Sequence, residues 1–198
     1  MSIPAVLLFD LGGVLVENEL FERLGALAPA GMHGDDIKSR WLRSKAVRSF
    51  ERGRCSPGAF ASELILEWQL PMAPEEFLES FAAWARGPYA GAPDLLSELR
   101  GRHTLACLSN SNEIHWKKFE TFLQLFDVSL SSHLIGEVKP DPACFAIALQ
   151  HCKSDPASVA FFDDSISNVA AAHDLGMQAF HVNGVEELRF AVVSQGWL

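Results

Sequence analysis

Hydrophobic and polar positions fall into three regimes along the chain. From Ala5 to Phe9 every residue is apolar, a carboxylate follows at Asp10, and Gly12 and Gly13 allow a tight turn. An apolar run without alternation predicts a strand covered on both faces, as in parallel sheets. From about Glu17 to Ala92 the segments 19–28, 35–51, 56–69 and 74–86 carry apolar residues at helical spacing, as at Phe60, Leu64 and Trp68. Pro29, Gly31, Gly53, Pro57, Pro71 and Pro74 separate them, so four helices and no strand are expected. From Pro93 onward short apolar runs at 104–109, 128–134, 158–163 and 177–182 alternate with helical patterns at 93–101, 113–125, 141–152, 165–175 and 185–195. Such alternation predicts an α/β fold built on a doubly wound parallel sheet. The expected core is 1–16 plus 93–198, with residues 17–92 a helical cap inserted after the first strand.

Composition narrows the class. With 198 residues, 48% hydrophobic and 21% charged, the chain has the make-up of a soluble globular protein. A net charge of -9 argues against a general nucleic-acid binder, since phosphate backbones are held by clustered Lys and Arg. Cys55, Cys107, Cys144 and Cys152 form no CxxC pair, which fits a reducing cytoplasm. Asp10 interrupts the first apolar run and no later stretch approaches a membrane span. The expectation is a soluble cytoplasmic protein with no membrane partner.

Several polar residues stand where the predicted strands end, and in a parallel sheet those ends converge on one edge. Asp10 ends the first strand, Ser109 and Asn110 the second, and Asp163 and Asp164 follow Val159–Phe162. Lys139 precedes Pro140-Asp141-Pro142 and the next helix. Singly, each has a structural explanation as a turn, a cap, a helix start or a solvated loop residue. Jointly, Asp10, Asp163 and Asp164 would repel one another unless a hard divalent cation held them, and Mg²⁺ prefers such oxygen ligands. Asp10 would then attack phosphorus, with Lys139 and the Ser109 hydroxyl neutralising and orienting phosphoryl oxygens.

The ordered set Phe9-Asp10-Leu11-Gly12-Gly13-Val14-Leu15, Leu108-Ser109-Asn110, Val138-Lys139-Pro140 and Phe162-Asp163-Asp164-Ser165 resembles the four motifs of the haloacid dehalogenase-like hydrolase superfamily. The resemblance spans a Rossmann-like core from end to end, and the helical insertion is similar to that family's cap. It implies a phosphatase in which Asp10 forms an aspartyl-phosphate and Ser109 and Lys139 hold the phosphate. By the same resemblance, Mg²⁺ is bound by Asp10, the Gly12 carbonyl, Asp164 directly and Asp163 more through water. Asn168, four residues after Asp164, is expected to orient that carboxylate.

One position departs from the pattern. Most phosphatases of the superfamily carry a second Asp two residues after the nucleophile, where this chain has Gly12. General acid–base catalysis is typically worth ~10²–10⁴ in rate, or roughly 3–5 kcal/mol. Either the leaving group needs little protonation, or turnover is slow, or another residue carries the proton. Glu17 and His115 are candidates for that role, for substrate binding together with Asn110, or for plain surface roles. The Asp-Leu-Gly stretch with Glu17, and Ser109-Asn110-Ser111-Asn112 with His115, resemble a subgroup acting on sugar 1-phosphates. Two rival readings remain: a metal-free 2-haloacid dehalogenase, which also lacks the second Asp, and an impaired relative that only binds a phosphorylated ligand. The Asp163-Asp164 pair favours the phosphatase. The basic residues from Arg40 to Arg54 are expected as a solvated helix face or as contacts to an anionic substrate. The expected partner is a small phosphorylated metabolite, with no indication of oligomeric state.

Overall fold

The computed structural model describes residues 3–28 and 34–198. Its centre is a five-stranded parallel sheet in the order β5-β4-β1-β6-β7. The strands are β1 (Val6–Phe9), β4 (Thr104–Ser109), β5 (Val128–Ser131), β6 (Val159–Asp163) and β7 (Gln178–His181). The pleat sorts their side chains into two layers. Leu7, Phe9, Leu105, Cys107, Ala160 and Phe162 pack on one face with α6 (Ala92–Leu99) and α12 (Gly184–Ser194). Val6, Leu8, Ala106, Leu108, Val159 and Phe161 pack on the other with α10 (Pro142–Cys152) and α11 (Ile166–Asp174). Both faces are covered, so these strands carry no polar alternation. Phe9, Phe162 and Phe180 stack across three strands, with ring centroids 5.3 and 5.2 Å apart.

Residues Leu20–Trp84 form a separate apolar cluster. It is built by α1 (Leu20–Leu27), α2 (Gly34–Arg43), α3 (Lys45–Glu51), α4 (Pro57–Trp68) and α5 (Pro74–Ala82). Phe60 sits at its middle, stacked on Phe50 at 4.3 Å and tilted against Phe81 at 5.4 Å. Two expectations change here. The helical pattern at 35–51 is two helices, because Ser44 is extended and its hydroxyl accepts the Val47 N–H at 3.2 Å, capping α3. The pattern at 74–86 ends early, and Ala85–Pro88 forms β3, paired antiparallel with β2 (Val16–Asn18). Gly87 and Pro88 are poor helix formers, so a strand pair joins the insertion to the sheet where none was expected. Pro29 and Gly31 lie outside the described residues.

The predicted helix 113–125 is likewise divided into α7 (Glu113–Lys118) and α8 (Glu120–Leu123), and α9 (Ser132–Ile135) shortens the strand expected at 128–134. No helix among the described residues is long and apolar enough to cross a membrane.

Candidate active site

The strand order places β1 between β4 and β6, so the chain leaves β1 toward one side of the sheet and later returns on the other. That reversal opens a crevice at the carboxyl ends of the strands, the usual ligand position in such sheets. Asp10 stands there, its N–H donating to the Phe162 carbonyl at 2.8 Å. The next residues wind into a tight loop in which the Val14, Leu15 and Val16 N–H groups all donate to the Leu11 carbonyl. Gly13 has φ of +79°, and a Cβ there would lie 2.8 Å from an Asp164 carboxylate oxygen. Glycine therefore lets that carboxylate approach the loop.

Oxygen atoms of Asp10, Asp163 and Asp164 lie within 4.8 Å of one another. Lys139 Nζ reaches Asp10 Oδ1 at 2.9 Å and Asp163 Oδ2 at 2.6 Å. Burial opposes the Lys139 charge, but the two carboxylates outweigh it and hold the ammonium above the ordinary lysine range. Burial pushes the Asp10 carboxyl up; Lys139 opposes that shift, while Asp163 and Asp164 add to it. Asp164 is raised for the same reasons, burial first and Asp163 second. Three converging carboxylates with one neutralising ammonium form an oxygen-donor set that suits a hard divalent cation.

Asp163 is fully buried and held from every side. Its Oδ1 accepts from the Ser165 N–H at 2.8 Å and from Asn168 Nδ2 at 3.0 Å, while Oδ2 accepts from Asn168 Nδ2 at 3.1 Å and from Lys139. Asn168 thus grips Asp163, not Asp164 as helical spacing suggested, because Asp163 still belongs to β6 and lies below the first turn of α11. Asn110 has a comparable job: its side-chain amide donates to the Lys139 carbonyl at 2.9 Å and accepts the Lys139 N–H at 2.8 Å. It fixes the lysine-bearing loop to the end of β4.

A haloacid dehalogenase-like hydrolase model matches residues 4–176, which takes in all of these positions. The chain belongs to the haloacid dehalogenase-like hydrolase family. Phosphatase MT3486 of Mycobacterium tuberculosis is 30% identical to this hydrolase, over 98% of the chain and 93% of the relative. Acyl-CoA dehydrogenase family member 10 of Mus musculus is 28% identical over 90% of the chain, which spans only 18% of that protein. A haloacid dehalogenase-family enzyme of Bacteroides thetaiotaomicron, solved with magnesium and inorganic phosphate, superposes with a TM-score of 0.71. It shares 24% identity, with coverage of 91% of this chain and 94% of that one.

A cavity of about 400 Å³ opens over the strand ends of the hydrolase. Asp10, Gly12, Ser109, Asn110, Lys139 and Asp164 contribute to its lining, so most of the residues singled out in the sequence meet there. Glu17 does not. It is exposed on β2, while its neighbour Asn18, also exposed, borders the cavity instead. His115 is also outside the cavity lining. Its Nε2 is 2.8 Å from the Phe81 carbonyl and its Nδ1 3.3 Å from the Asn112 amide, which makes Nε2 the donor and occupies both nitrogens. Burial lowers its pKa to about 4, so the ring is neutral near pH 7 and serves as a joint between α7 and the insertion.

The basic stretch divides in the same way. Arg52 pairs with Asp141 and, at 3.4 Å, with Glu137, and Arg48 reaches Asp141 at 3.3 Å, so these cations tie α3 to the loop before α10. Arg48 also borders the cavity, together with Lys38, Trp41 and Glu51. Trp41 and Glu51 had no functional signal in the sequence.

Proposed function

We propose that this hydrolase is a Mg²⁺-dependent phosphatase of a small phosphorylated metabolite that works through an aspartyl-phosphate on Asp10. In this reading residues 17–92 are a cap over a core of 1–16 and 93–198. The observation that carries it is the meeting of Asp10, Lys139 and Asp164 at the open end of the sheet, with Ser109 beside them. The donor set fits Mg²⁺: it is all oxygen, it is anionic, and the glycine at 13 keeps clear the space into which Asp164 projects. Asp10, Asp164 and the Gly12 carbonyl would hold the ion, with Asp163 behind them. Bound there, Mg²⁺ supplies positive charge against the acidic cluster and the phosphoryl oxygens.

The residues divide the work by position. An Asp10 carboxylate oxygen attacks phosphorus in line with the departing ester oxygen, and Lys139 and Ser109 face the phosphoryl oxygens on which charge accumulates. Asp163 does not react; it holds the Lys139 ammonium in place through the 2.6 Å contact. The walls above combine Leu20, Phe21 and Trp41 with Asn18, Lys38 and Glu51, a mixture that suits a ring with hydroxyls, as in a sugar phosphate. The relative named a phosphatase and the magnesium and phosphate of the Bacteroides enzyme support the same chemistry. Four free thiols accord with a cytoplasmic setting.

A screen of phosphorylated metabolites with and without Mg²⁺, with a 2-haloacid as control, tests this reading. Phosphate release that requires the metal is expected. Metal-independent halide release would replace it with the dehalogenase reading.

A further inference from the structure

Hydrolysis of an alkyl phosphate requires a proton for the departing oxygen and then a base for the attacking water. Position 12 has no side chain to provide either, and the Asn18 side-chain nitrogen lies 3.3 Å from where its Cβ would be. Among the described residues whose side chains line the cavity, only Asp10, Asp164 and Glu51 bear carboxyl groups, and none is a histidine. Asp10 and Asp164 belong to the acidic cluster. Lysine and arginine side chains are weak acids near neutrality, which sets aside Lys38, Arg48 and Lys139.

We propose that Glu51, at the carboxyl end of α3, is the acid and base of this hydrolase. The inference rests on the phosphatase reading above. Glu51 is partly exposed, and it borders the cavity that also contains Asp10. Burial pushes its carboxyl up to about 7, against a hydrogen bond from Trp41 and the charges of Arg48, Arg52 and Lys139. Those cations are themselves occupied. Arg48 and Arg52 face Asp141, Arg52 also faces Glu137, and Lys139 lies between Asp10 and Asp163, while Lys38 and Asp164 are the other charged groups among the described residues lining the cavity. A carboxyl so balanced exists in both protonation states near pH 7, as a group that must give and then take a proton requires. The ion pairs of Arg48 and Arg52 also anchor α3 to the core, which fixes the carboxyl relative to Asp10.

The proton inventory closes. As Asp10 Oδ bonds to phosphorus, the ester P–O bond breaks, its electron pair goes to the alkoxide oxygen, and the Glu51 proton joins it to release the alcohol. The Glu51 carboxylate next takes a proton from water while the water oxygen bonds to phosphorus. The P–Oδ bond breaks, the pair returns to the Asp10 carboxylate, and phosphate leaves with Glu51 again protonated.

The test compares wild type and Glu51→Gln with Mg²⁺ on p-nitrophenyl phosphate, whose leaving group departs unprotonated, and on an alkyl phosphate taken from the screen. In the variant, kcat on the alkyl ester should fall ~10²-fold or more and lose its decline above about pH 7. A rapid burst of p-nitrophenol should survive, because only the second step then lacks its base. Equal loss of the burst and of alkyl turnover, or an unchanged alkyl rate, would overturn the assignment while leaving the phosphatase reading intact. No phosphate release by wild type from either ester would overturn both. Should Glu51→Gln fail to fold, Glu51→Asp decides: a retained pH profile and p-nitrophenol burst with reduced alkyl kcat supports the role, and equal loss of the burst and of alkyl kcat rejects it.

Discussion

Gly13 sits closest to the limit of what the acidic cluster tolerates. Its φ of +79° is costly for any residue with a Cβ, and the added carbon would meet Asp164 at 2.8 Å. Gly13→Ala should therefore cost about 1–2 kcal/mol in the denaturation midpoint from backbone strain alone. It should also weaken Mg²⁺ binding in a titration, because the Asp164 carboxylate has to move; unchanged affinity would separate Asp164 from the metal. The identities of Asp10, Lys139, Asp163 and Asp164 were legible in the sequence because each stands at a strand end or just before a helix. Their partnerships were less so. Asn168 was expected on Asp164 by helical spacing, yet it binds both oxygens of Asp163, since the carboxylate that ends a strand does not follow the register of the helix after it. The amide exchange between Asn110 and Lys139, separated by 29 residues, leaves no local trace in the sequence at all.

At the scale of elements, the docking of the insertion depends on a few polar contacts. Lys118 of α7 donates to the Ala82 and Ala85 carbonyls, both at 2.8 Å, where α5 gives way to β3, and His115 donates to Phe81 one turn earlier. The imidazole is neutral in the folded protein, with a pKa near 4, and regains the ordinary value of 6.5 when unfolded. The unfolded chain then binds the extra proton, so the stability this group contributes is complete above about pH 6.5 and is lost as pH falls toward 4. Between about pH 7 and about pH 5 the wild type should lose about 1–2 kcal/mol more than His115→Gln in urea unfolding. Equal losses in the two proteins would mean that the ring titrates freely. The helical content of 17–92 was legible from its spacing, but β2 and β3 were not, because strands of three and four residues with Gly87 and Pro88 have no alternation to detect. The break at Ser44 was hidden by apolar spacing that continues on both sides of it, although a serine N-cap is the local cause.

Across the whole molecule, the topology is what turns separate motifs into one site. Strands β4, β1 and β6 are neighbours, so Ser109, Asp10 and Asp163 come together from positions up to 153 apart in number. This much follows from strand–helix alternation and was readable in advance. The wall of the cavity was not readable, because the inward direction of Trp41, Arg48 and Glu51 is set by how α2 and α3 dock, and that docking relies on the long-range pairs of Arg48 and Arg52 with Asp141. The central claim is that Asp10 carries the phosphoryl group between substrate and water. Acid-quenched enzyme taken during turnover with Mg²⁺, reduced with borohydride and mapped by mass spectrometry, tests it directly. Modification of Asp10 in wild type, with neither modification nor turnover in a folded Asp10→Asn variant, is the expected result. Continued phosphate release by Asp10→Asn, or a phosphoryl group found on another residue, would contradict it.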